Sequence, residues 1–414
     1  MPETTLSPVP PRVPPNSPVT PRGPSTRVAS MSTSHGLYQD RYVQIVNKVS
    51  GYGLLAGSWG TNAGDRHVWQ YPLTELGQNS HGFEWILFPT SDGSYLIVNR
   101  VSGFCLLAGN YGVGDDRHVW QYPASELGNN NPDAFKWGIE KDGDAYRIIN
   151  RASGFALLPG SYGAGNDRLM WQYPLSESGA NPEAFLWTLT PTDLLVVPAL
   201  QPGEDEGVRA PDIPRLTSMN DTPPTKSASW VVAEVRIPFM YVNDGAVSYQ
   251  LQSSPYYILS RQQYWKRAGV NEYEGALKKT EVQLVRTGIT ETSSRSIENE
   301  LKITIAADAS FSYGAASVAL KTEIQNTLKV SESTSQSQTH EEQKTVTVTV
   351  PEYRCRVVTW LLAESFSLWR SDRGSMVGQA SEAVLDGNAI SDIYSEKGRE
   401  PTQQSQPASL VQAV

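Results

Sequence analysis

An Asp-Arg pair, a Tyr and a Glu recur in the same order three times in the first half of this chain. The three sets are Asp65, Arg66, Tyr71 and Glu75; Asp116, Arg117, Tyr122 and Glu126; and Asp167, Arg168, Tyr173 and Glu177. A tyrosine ring offers an apolar face, and charged groups beside it offer hydrogen-bond donors and acceptors. This chemistry fits the apolar face and the hydroxyl groups of a sugar ring, so the pattern predicts shallow carbohydrate sites. The competing interpretation is that each Asp-Arg pair only ties down a glycine-rich loop.

These sets belong to a longer internal repeat. Each unit contains a short apolar stretch, a Ser-Gly turn, a Leu-Leu pair, a glycine-rich loop, a Trp-Gln-Tyr-Pro segment and a final Phe-x-Trp segment. The first tryptophan recurs every 51 residues, at Trp69, Trp120 and Trp171, and the second is Trp85, Trp137 or Trp187. The pattern predicts four short strands per unit. Three such units close naturally into a threefold barrel with a hairpin cap.

Residues 38–192 resemble the ricin-B-type β-trefoil on the strength of these repeats. The resemblance implies one sugar site per unit, built from an Asp after the first hairpin, a stacking aromatic ring and an Asn before the last Trp strand. This chain departs from that pattern at the Asp position (Ala56, Ala108, Pro159) and at the Asn position (Gly82, Ala134, Ala184). The aromatic ring remains, as Tyr71, Tyr122 and Tyr173. Binding of a cell-surface glycan or glycoconjugate is therefore expected to use the repeated Asp-Arg and Glu residues instead.

Residues 303–330 show side-chain alternation in two arms around a turn at Gly314 to Ser317. The apolar face comprises Ile303, Ile305, Ala307, Ala309, Phe311 and Tyr313 in the first arm and Val318, Leu320, Ile324 and Leu328 in the second. Pairing of Tyr313 with Val318 places both apolar faces on the same side of a hairpin. The arms have the length of tilted transmembrane strands, so the pattern predicts a membrane-inserting β-hairpin. An alternative remains open, because Leu320, Ile324 and Leu328 also have helical spacing and could form an amphipathic helix.

Long Ser- and Thr-rich strands flank this segment, and residues 230–397 resemble the aerolysin-like pore-forming toxins of the epsilon-toxin and mosquitocidal-toxin type. The resemblance implies a soluble monomer that binds a receptor, assembles into a homo-oligomer and inserts one hairpin per subunit into target membrane lipid. Only a closed barrel satisfies every backbone hydrogen bond in lipid, so oligomerisation is part of this mechanism.

The expected fold class is mainly β, with an N-terminal β-trefoil followed by an elongated aerolysin-like β-sheet domain. Composition changes divide the chain into a disordered Pro-rich tail (1–36), the trefoil (37–192), a Pro-rich acidic linker (193–228), the pore-forming domain (229–397) and a second disordered tail (398–414). The Pro-rich start has no apolar core of the kind that a secretory signal requires. We expect a protein that is made in soluble form and acts from outside on target-cell membranes.

Several function classes have little support. A net charge of -9 disfavours nucleic acid as a partner, since nucleic-acid binders display clustered Lys and Arg. The two cysteines, Cys105 and Cys355, and five scattered histidines form no metal or catalytic motif, so we expect no metal, no cofactor and no enzymatic activity. The alternative to a pore-forming toxin is a non-lytic defence or storage lectin whose C-terminal domain only oligomerises.

Overall fold

The computed structural model describes residues 37–414 except 39, 61–63, 76, 91, 124–125, 127–130, 180, 202, 204–211, 291–302, 306–310, 314–317, 329, 331–339, 406 and 410–414. The predicted tail at residues 1–36 lies outside the described residues. The fold is mainly β, as the sequence predicts, and its strands form one large sheet system in each half of the chain.

Twelve strands between Arg41 and Leu194 form the first half. They are β1 Arg41–Asn47, β2 Tyr52–Ala56, β3 Val68–Pro72, β4 Glu84–Pro89, β5 Tyr95–Asn99, β6 Phe104–Ala108, β7 Val119–Pro123, β8 Lys136–Asp142, β9 Ala145–Asn150, β10 Ala156–Pro159, β11 Met170–Tyr173 and β12 Trp187–Leu194. Strands β1, β4, β5, β8, β9 and β12 pair in that order, and β12 pairs back with β1 to close a barrel. The other six form three hairpins that cap the barrel. This is the predicted β-trefoil.

Repeated hydrogen bonds explain why the sequence of each unit folds in this way. Asn47 ends β1; its amide nitrogen donates to the carbonyl oxygen of Ala184 at 2.8 Å, and its Oδ1 accepts from the following turn. Asn99 and Asn150 repeat this arrangement in the next two units. The second tryptophan of each unit is fully buried in the core, and its indole nitrogen donates to the carbonyl oxygen of the first leucine of the Leu-Leu pair. A large buried ring with a satisfied polar atom anchors each unit.

Among the described residues, the second half contains eleven strands and two α-helices. They are β13 Trp230–Pro238, α1 Val247–Ser253, β14 Tyr256–Tyr273, β15 Lys279–Ile289, β16 Ile303–Ile305, β17 Phe311–Tyr313, α2 Val318–Leu328, β18 His340–Val350, β19 Cys355–Trp369, β20 Ser381–Ser395, β21 Gly398–Arg399, β22 Gln403–Ser405 and β23 Ala408–Ser409. The main sheet has the order β13-β14-β19-β20-β15-β18-β23. Among the described residues, no helix has the length and hydropathy to cross a membrane.

The predicted linker and C-terminal tail are more ordered than the sequence suggests. Ile213 and Leu216 are buried beside Trp265 and Trp360, and the backbone nitrogen of Leu216 donates to the buried carboxylate of Asp392 at 2.7 Å. Strands β21 and β22 pair with β20, and β23 pairs with β18. The prediction of a disordered tail from residue 398 is therefore wrong for the described residues up to Ser409. A few buried side chains and backbone bonds are sufficient to hold such polar segments against a sheet.

The predicted pairing of the two arms at 303–313 and 318–328 is wrong for this structure. Strand β16 pairs with β17 inside the first arm, with Ile303 opposite Tyr313. The second arm is helix α2, as in the alternative interpretation, because this helix buries Leu320, Ile324 and Leu328 against β13 without needing a strand partner. Ala307, Ala309 and the turn at 314–317 lie outside the described residues.

One capping turn of the trefoil contacts the second half of the chain. The turn glycines Gly51, Gly103 and Gly154 share a left-handed backbone with φ of 68°, 67° and 70°. Only around Gly103 would an added Cβ meet other atoms, at 2.7 Å from Cδ1 of Leu251 and 3.2 Å from Cε2 of Phe239. The turn of the second unit is therefore the one that packs against the C-terminal half.

We expect Gly103→Ala to destabilise the protein more than Gly51→Ala or Gly154→Ala. All three changes impose the left-handed backbone on a residue with a Cβ, which costs about 1–2 kcal/mol. Only Gly103→Ala also overpacks an interface, which adds about 1–3 kcal/mol. Thermal denaturation of the three matched variants measures the difference. Equal shifts in Tm would contradict the interface described above.

Candidate carbohydrate sites and membrane-inserting segment

The three repeated tyrosines lie at equivalent positions on the capping hairpins. Tyr71 is on β3, Tyr122 on β7 and Tyr173 on β11, and each ring is half-buried. Each hairpin also carries a second aromatic residue at the start of its first strand or in the turn before it, which is Tyr52, Phe104 or Phe155. The predicted ring faces are thus present three times on one side of the trefoil cap.

Each repeated arginine stacks on the aromatic pair of the next unit, not of its own. The guanidinium carbon of Arg66 lies 4.6 Å from the ring centre of Phe104 and 4.9 Å from that of Tyr122. Arg117 makes the same contacts with Phe155 and Tyr173 at 4.4 and 5.2 Å, and Arg168 with Tyr52 and Tyr71 at 4.4 and 5.3 Å. These stacks are cation–π contacts that join the units in a circle. A candidate site therefore combines an arginine of one unit with the tyrosine of the next.

Unused hydrogen-bonding capacity lies beside these rings. Nη1 of Arg66, Arg117 and Arg168 is buried and has no hydrogen-bond partner among the described residues. Glu177 is exposed, and its Oε1 lies 3.9 Å from Nη2 of Arg117, next to Tyr173. Glu75 is exposed and Glu126 half-buried at the equivalent positions. At the third unit an arginine, a carboxylate and a tyrosine ring therefore lie together, so that charged groups border an apolar ring face.

The repeated aspartates hold their own loops. The backbone nitrogens of His67 and His118 donate to Asp65 and Asp116 at 3.1 and 3.0 Å, and the indole nitrogens of Trp120 and Trp171 donate to Asp116 and Asp167 at 3.1 and 2.9 Å. Burial raises the pKa of the Asp65 and Asp116 carboxyls, but the hydrogen bonds outweigh it and hold each pKa below its ordinary value. The hydrogen bonds of the three aspartates therefore match the interpretation in which each aspartate holds its own glycine-rich loop in place.

The structure shows an additional aromatic residue at two of the candidate sites and an exposed tryptophan at the equivalent position of the remaining unit, none of which the sequence analysis selected. Trp59, Tyr111 and Tyr162 have φ of 56°, 54° and 53°, each directly after another left-handed residue. The Tyr111 ring centre lies 6.4 Å from that of Tyr122, Tyr162 lies 6.5 Å from Tyr173, and Trp59 is 49% exposed. Consecutive left-handed residues other than glycine are costly and cluster at functional sites. The Gly-x-aromatic-Gly pattern, repeated in all three units, was the available signal.

A cluster of His81, Glu84 and Asp193 has metal-ligand chemistry, but an arginine already pairs with both of its carboxylates. Their ligand atoms lie within 4.8 Å of one another. Nη1 of Arg100 bonds to Glu84 and lies 2.8 Å from Oδ2 of Asp193, while Nδ1 of His81 lies 2.8 Å from Glu84. The guanidinium supplies the positive charge that a metal ion would otherwise supply, so the cluster is a structural ion-pair network.

Helix α2 is held by a buried ion pair at its C-terminal end. Nη1 of Arg261 on β14 donates to the carbonyl oxygen of Leu328 at 2.6 Å, and its Nε donates to Glu364 on β19 at 3.1 Å. Glu364 is fully buried. On the same helix, half-buried Glu323 has its pKa raised by burial, an effect that Arg236 on β13 partly opposes. Burial raises the pKa of the Tyr256 hydroxyl on β14, and the charge of Glu323 adds to this effect.

Both cysteines are free and buried, and burial raises the pKa of the Cys105 thiol to about 12. The pKa of Cys355 is also raised by burial. A thiol that stays protonated is a poor nucleophile and a poor metal ligand, so both behave as core residues.

Comparison with known proteins agrees with this architecture. Residues 230–386 match the family model described as insecticidal crystal toxin, P42, and residues 84–173 match the ricin-type β-trefoil lectin domain-like model. The binary larvicide subunit BinA of Lysinibacillus sphaericus is 24% identical over 353 residues, which cover 81% of this chain and 85% of BinA. The insecticidal crystal protein Cry35Ab1 of Bacillus thuringiensis is 24% identical over 312 residues, 72% of this chain and 71% of Cry35Ab1.

The crystal structure of Cry35Ab1 has a TM-score of 0.61 to this chain at 20% sequence identity, and the match covers 87% of this chain and 91% of Cry35Ab1. The likeness therefore extends through both halves and shows the shared fold. Both resemblances inferred from the sequence are confirmed. The chain therefore combines a β-trefoil that matches the ricin-type lectin domain-like model with an aerolysin-like module that matches the insecticidal crystal toxin P42 model, and it is similar over most of its length to BinA and Cry35Ab1.

Proposed function

We propose that this protein is a pore-forming toxin that binds a cell-surface glycan through its trefoil, oligomerises on the target membrane and inserts residues 303–330 as a β-hairpin. The names of BinA and Cry35Ab1 point to insects as targets, and the word binary in one name makes a second protein subunit a candidate partner. We propose that the protein acts on target cells from outside. No catalytic step is required. The observation that carries the proposal is the apolar face of helix α2, because its residue spacing fits both a helix and a strand.

This face is compatible with two backbone conformations. Leu320, Ile324 and Leu328 are spaced by four residues, which keeps them on one side of a helix and also on one side of a strand. In the structure all three are buried against β13. We therefore infer that these three side chains can exchange burial against β13 for contact with lipid, and that none of the three would face water in either end state.

Strands β15 and β18, which flank residues 303–330 in the sequence, also support the change from helix to hairpin strand. Strands β15 and β18 pair from Lys279 opposite Val350 to Ile289 opposite His340, and the inserting segment lies between their adjacent ends. Extended in the same register, this ladder places Phe311 opposite Val318 and Ile305 opposite Ile324. The register differs by two residues from the sequence-based one, so every side chain keeps its predicted face.

The apolar face of the extended hairpin continues the buried apolar side of strands β15 and β18. Val285 and Ile289 on β15 and Val346 and Val348 on β18 are buried on the same side of the ribbon. With a two-residue period this side becomes the lipid-facing side beyond residue 302, and Lys321 and Glu323 fall on the opposite, water-facing side. A hairpin with these two faces is what each subunit of a barrel contributes.

The candidate sugar sites give the first testable consequence. We expect the triple variant Tyr71→Ala, Tyr122→Ala and Tyr173→Ala to lose binding to the glycans that the natural chain recognises on a glycan array, because each site loses its stacking face. The matched triple change to Phe keeps the rings and the arginine stacks, so it should retain most of the binding. Full binding by a folded triple Ala variant would contradict glycan recognition at these sites.

A pH dependence follows from Glu323. Its pKa in the docked helix is raised above the ordinary value of 4.5, so docking favours the protonated form. Protonated Glu323 stabilises the docked helix. This stabilisation is complete below pH 4.5 and is lost as the pH rises through the raised pKa, because the charged form disfavours burial. We expect Glu323→Gln to slow dye release from liposomes at neutral pH and to make no difference below pH 4.5. The exposed Glu352→Gln is the matched control, and equal slowing by both variants would remove Glu323 from the mechanism.

A further inference from the structure

Six side chains form an outward-facing cluster where the three capping hairpins of the trefoil meet. Single backbone bridges join the hairpins at these positions, which are His67 with Trp120, His118 with Trp171 and Trp69 with Leu169. The residue between the two cluster positions of each unit is buried, and these residues are Val68, Val119 and Met170. Because side chains alternate along a strand, the cluster points away from the core. The side chains of His67 and His118 are accordingly 43% and 35% exposed.

Closure of the trefoil brings together two histidines that lie far apart in the sequence. The ring centre of His67 lies 5.4 Å from that of Trp69 and 4.9 Å from that of Trp120. The ring centre of His118 lies 5.6 Å from that of Trp120 and 4.1 Å from that of Trp171. The two imidazoles therefore share Trp120 as a neighbour.

Each of these histidines is held by the aspartate two residues before it. Nδ1 of His67 lies 3.0 Å from Oδ1 of Asp65, and Nδ1 of His118 lies 2.9 Å from Oδ1 of Asp116. The pKa of both carboxyls is lowered, so the carboxylates are ionised and only accept, and Nδ1 carries the hydrogen. In a neutral imidazole the lone pair is then on Nε2, for which the described residues supply no hydrogen-bond partner.

The register of the hairpins places the two histidines within reach of one ion. His67 lies directly opposite Trp120, and His118 is two residues before Trp120, on the same face of its strand. Diagonal cross-strand neighbours of this kind have Cα atoms about 7–8 Å apart and Cβ atoms somewhat closer. Two imidazole side chains that converge from this separation can each place Nε2 at the bonding distance of about 2.0–2.1 Å from a shared zinc ion.

We propose that His67 and His118 form a binding site for one divalent transition-metal ion, with zinc as the representative ion. Imidazole nitrogen suits zinc, nickel and copper ions. A carboxylate that holds the other ring nitrogen, as Asp65 and Asp116 do here, is the usual partner of a metal-binding histidine because it fixes the tautomer and the ring orientation. The remaining coordination positions are open to water, and the site is independent of glycan binding and of hairpin insertion.

The charges around the pair favour a cation over other ligands. The ionised carboxylates of Asp65 and Asp116 lie directly behind the two imidazoles and attract a positive ion. The guanidiniums of Arg66 and Arg117 stack on the aromatic pairs of the next units, at 4.6 Å from Phe104 and 4.4 Å from Phe155. A purely apolar ligand would leave both Nε2 lone pairs without a partner.

The third unit supplies a natural reference for variants of this site. Leu169 occupies the position equivalent to His67 and His118, and Asp167 bonds there to the backbone nitrogen of Leu169 at 3.0 Å and to the indole nitrogen of Trp171 at 2.9 Å. The fold therefore accepts leucine at this position, so His67→Leu and His118→Leu each copy a side chain that the trefoil already contains. The reverse change, Leu169→His, offers a third imidazole to the same ion.

Zinc titration of the full chain labelled with 15N-histidine tests the site. The chain has five histidines, and their ring signals are assigned with single changes to Leu. We expect zinc to shift the Nε2 signals of His67 and His118 together and in a saturable way. His81 is the matched control, because its Nδ1 also lies 2.8 Å from a carboxylate oxygen and its side chain is 49% exposed. We expect no shift of the His81 signal at the zinc concentration that saturates the pair.

Variants separate a shared site from independent binding to single histidines. His67→Leu should abolish the saturable shift of His118, and His118→Leu should abolish that of His67. Asp65→Asn should weaken zinc binding about tenfold, and the paired shift should persist at higher zinc concentration. Leu169→His should tighten zinc binding and add its own ring signal to the shifted set.

Three results would each overturn the site. The first is that zinc leaves the His67 and His118 signals in place, and the second is that it shifts them only at concentrations that also shift His81. The third is that either histidine shifts fully after the other is replaced in a variant whose near-ultraviolet circular dichroism matches the natural chain. Glycan-array binding and dye release are measured without added metal, so the proposed function is tested separately.

Discussion

Oxidised protein carrying Thr304→Cys and Ser312→Cys is expected to release no dye from liposomes that the natural chain permeabilises, and reduction should restore release. Thr304 lies directly opposite Ser312 in the pair of β16 and β17. Residues opposite each other in an antiparallel pair have the separation that a disulfide needs. In the inserted hairpin these positions lie on one continuous strand, about 26 Å apart at about 3.3 Å per residue. The bond therefore permits the structure described here and forbids the inserted one.

The two single-cysteine variants are the matched controls, and both should permeabilise liposomes under oxidation and reduction alike. The natural cysteines do not interfere, because Cys105 and Cys355 are buried. Disulfide formation is verified by mass spectrometry before the assay. Dye release by the oxidised, verified double variant would refute insertion of this arm as an extended strand, although it would leave the trefoil assignment untouched.

Replacing Arg261 by Met is expected to lower the free energy of unfolding by about 3–5 kcal/mol. The change leaves the fully buried carboxylate of Glu364 without its cationic partner and removes the donor to the last carbonyl of helix α2. Urea unfolding followed by tryptophan fluorescence measures the loss. The double variant Arg261→Met and Glu364→Leu should recover much of it, because an apolar pair of similar size needs no charge compensation. A loss under about 1 kcal/mol in the single variant would show that water reaches Glu364.

The trefoil was predictable because its information is local and repeated. The spacing of Trp85, Trp137 and Trp187 and the turn glycines define each unit without reference to the others. The arginine stacks could not be predicted in the same way, because an alignment places Arg66 beside Tyr71 in its own unit. Only closure of the barrel brings Arg66 onto Tyr122. Sequence analysis therefore grouped these side chains within single units, whereas the structure joins an arginine of one unit to the tyrosine of the next.

The conformation of residues 318–328 was ambiguous for a physical reason. A four-residue spacing of apolar side chains satisfies a helix and a strand equally, so local sequence cannot choose between them. The choice is made by β13, which lies more than 80 residues earlier in the chain and offers a buried surface to Leu320, Ile324 and Leu328. Likewise, the ordered parts of the linker and tail are held by long-range contacts that local sequence does not reveal, such as the bonds of Leu216 with Asp392 and of Thr349 with Gln403.

The circular order of the guanidinium stacks also affects how the trefoil melts. In a linear array the outermost modules have one unsupported side and can fray independently. In this trefoil the arginine of each unit stacks on an aromatic ring of the next unit, and the third unit stacks on the first. No unit is therefore outermost. Opening any one junction weakens the remaining two, so we expect the trefoil to unfold in a single cooperative step, with few partly unfolded forms that a protease could cut.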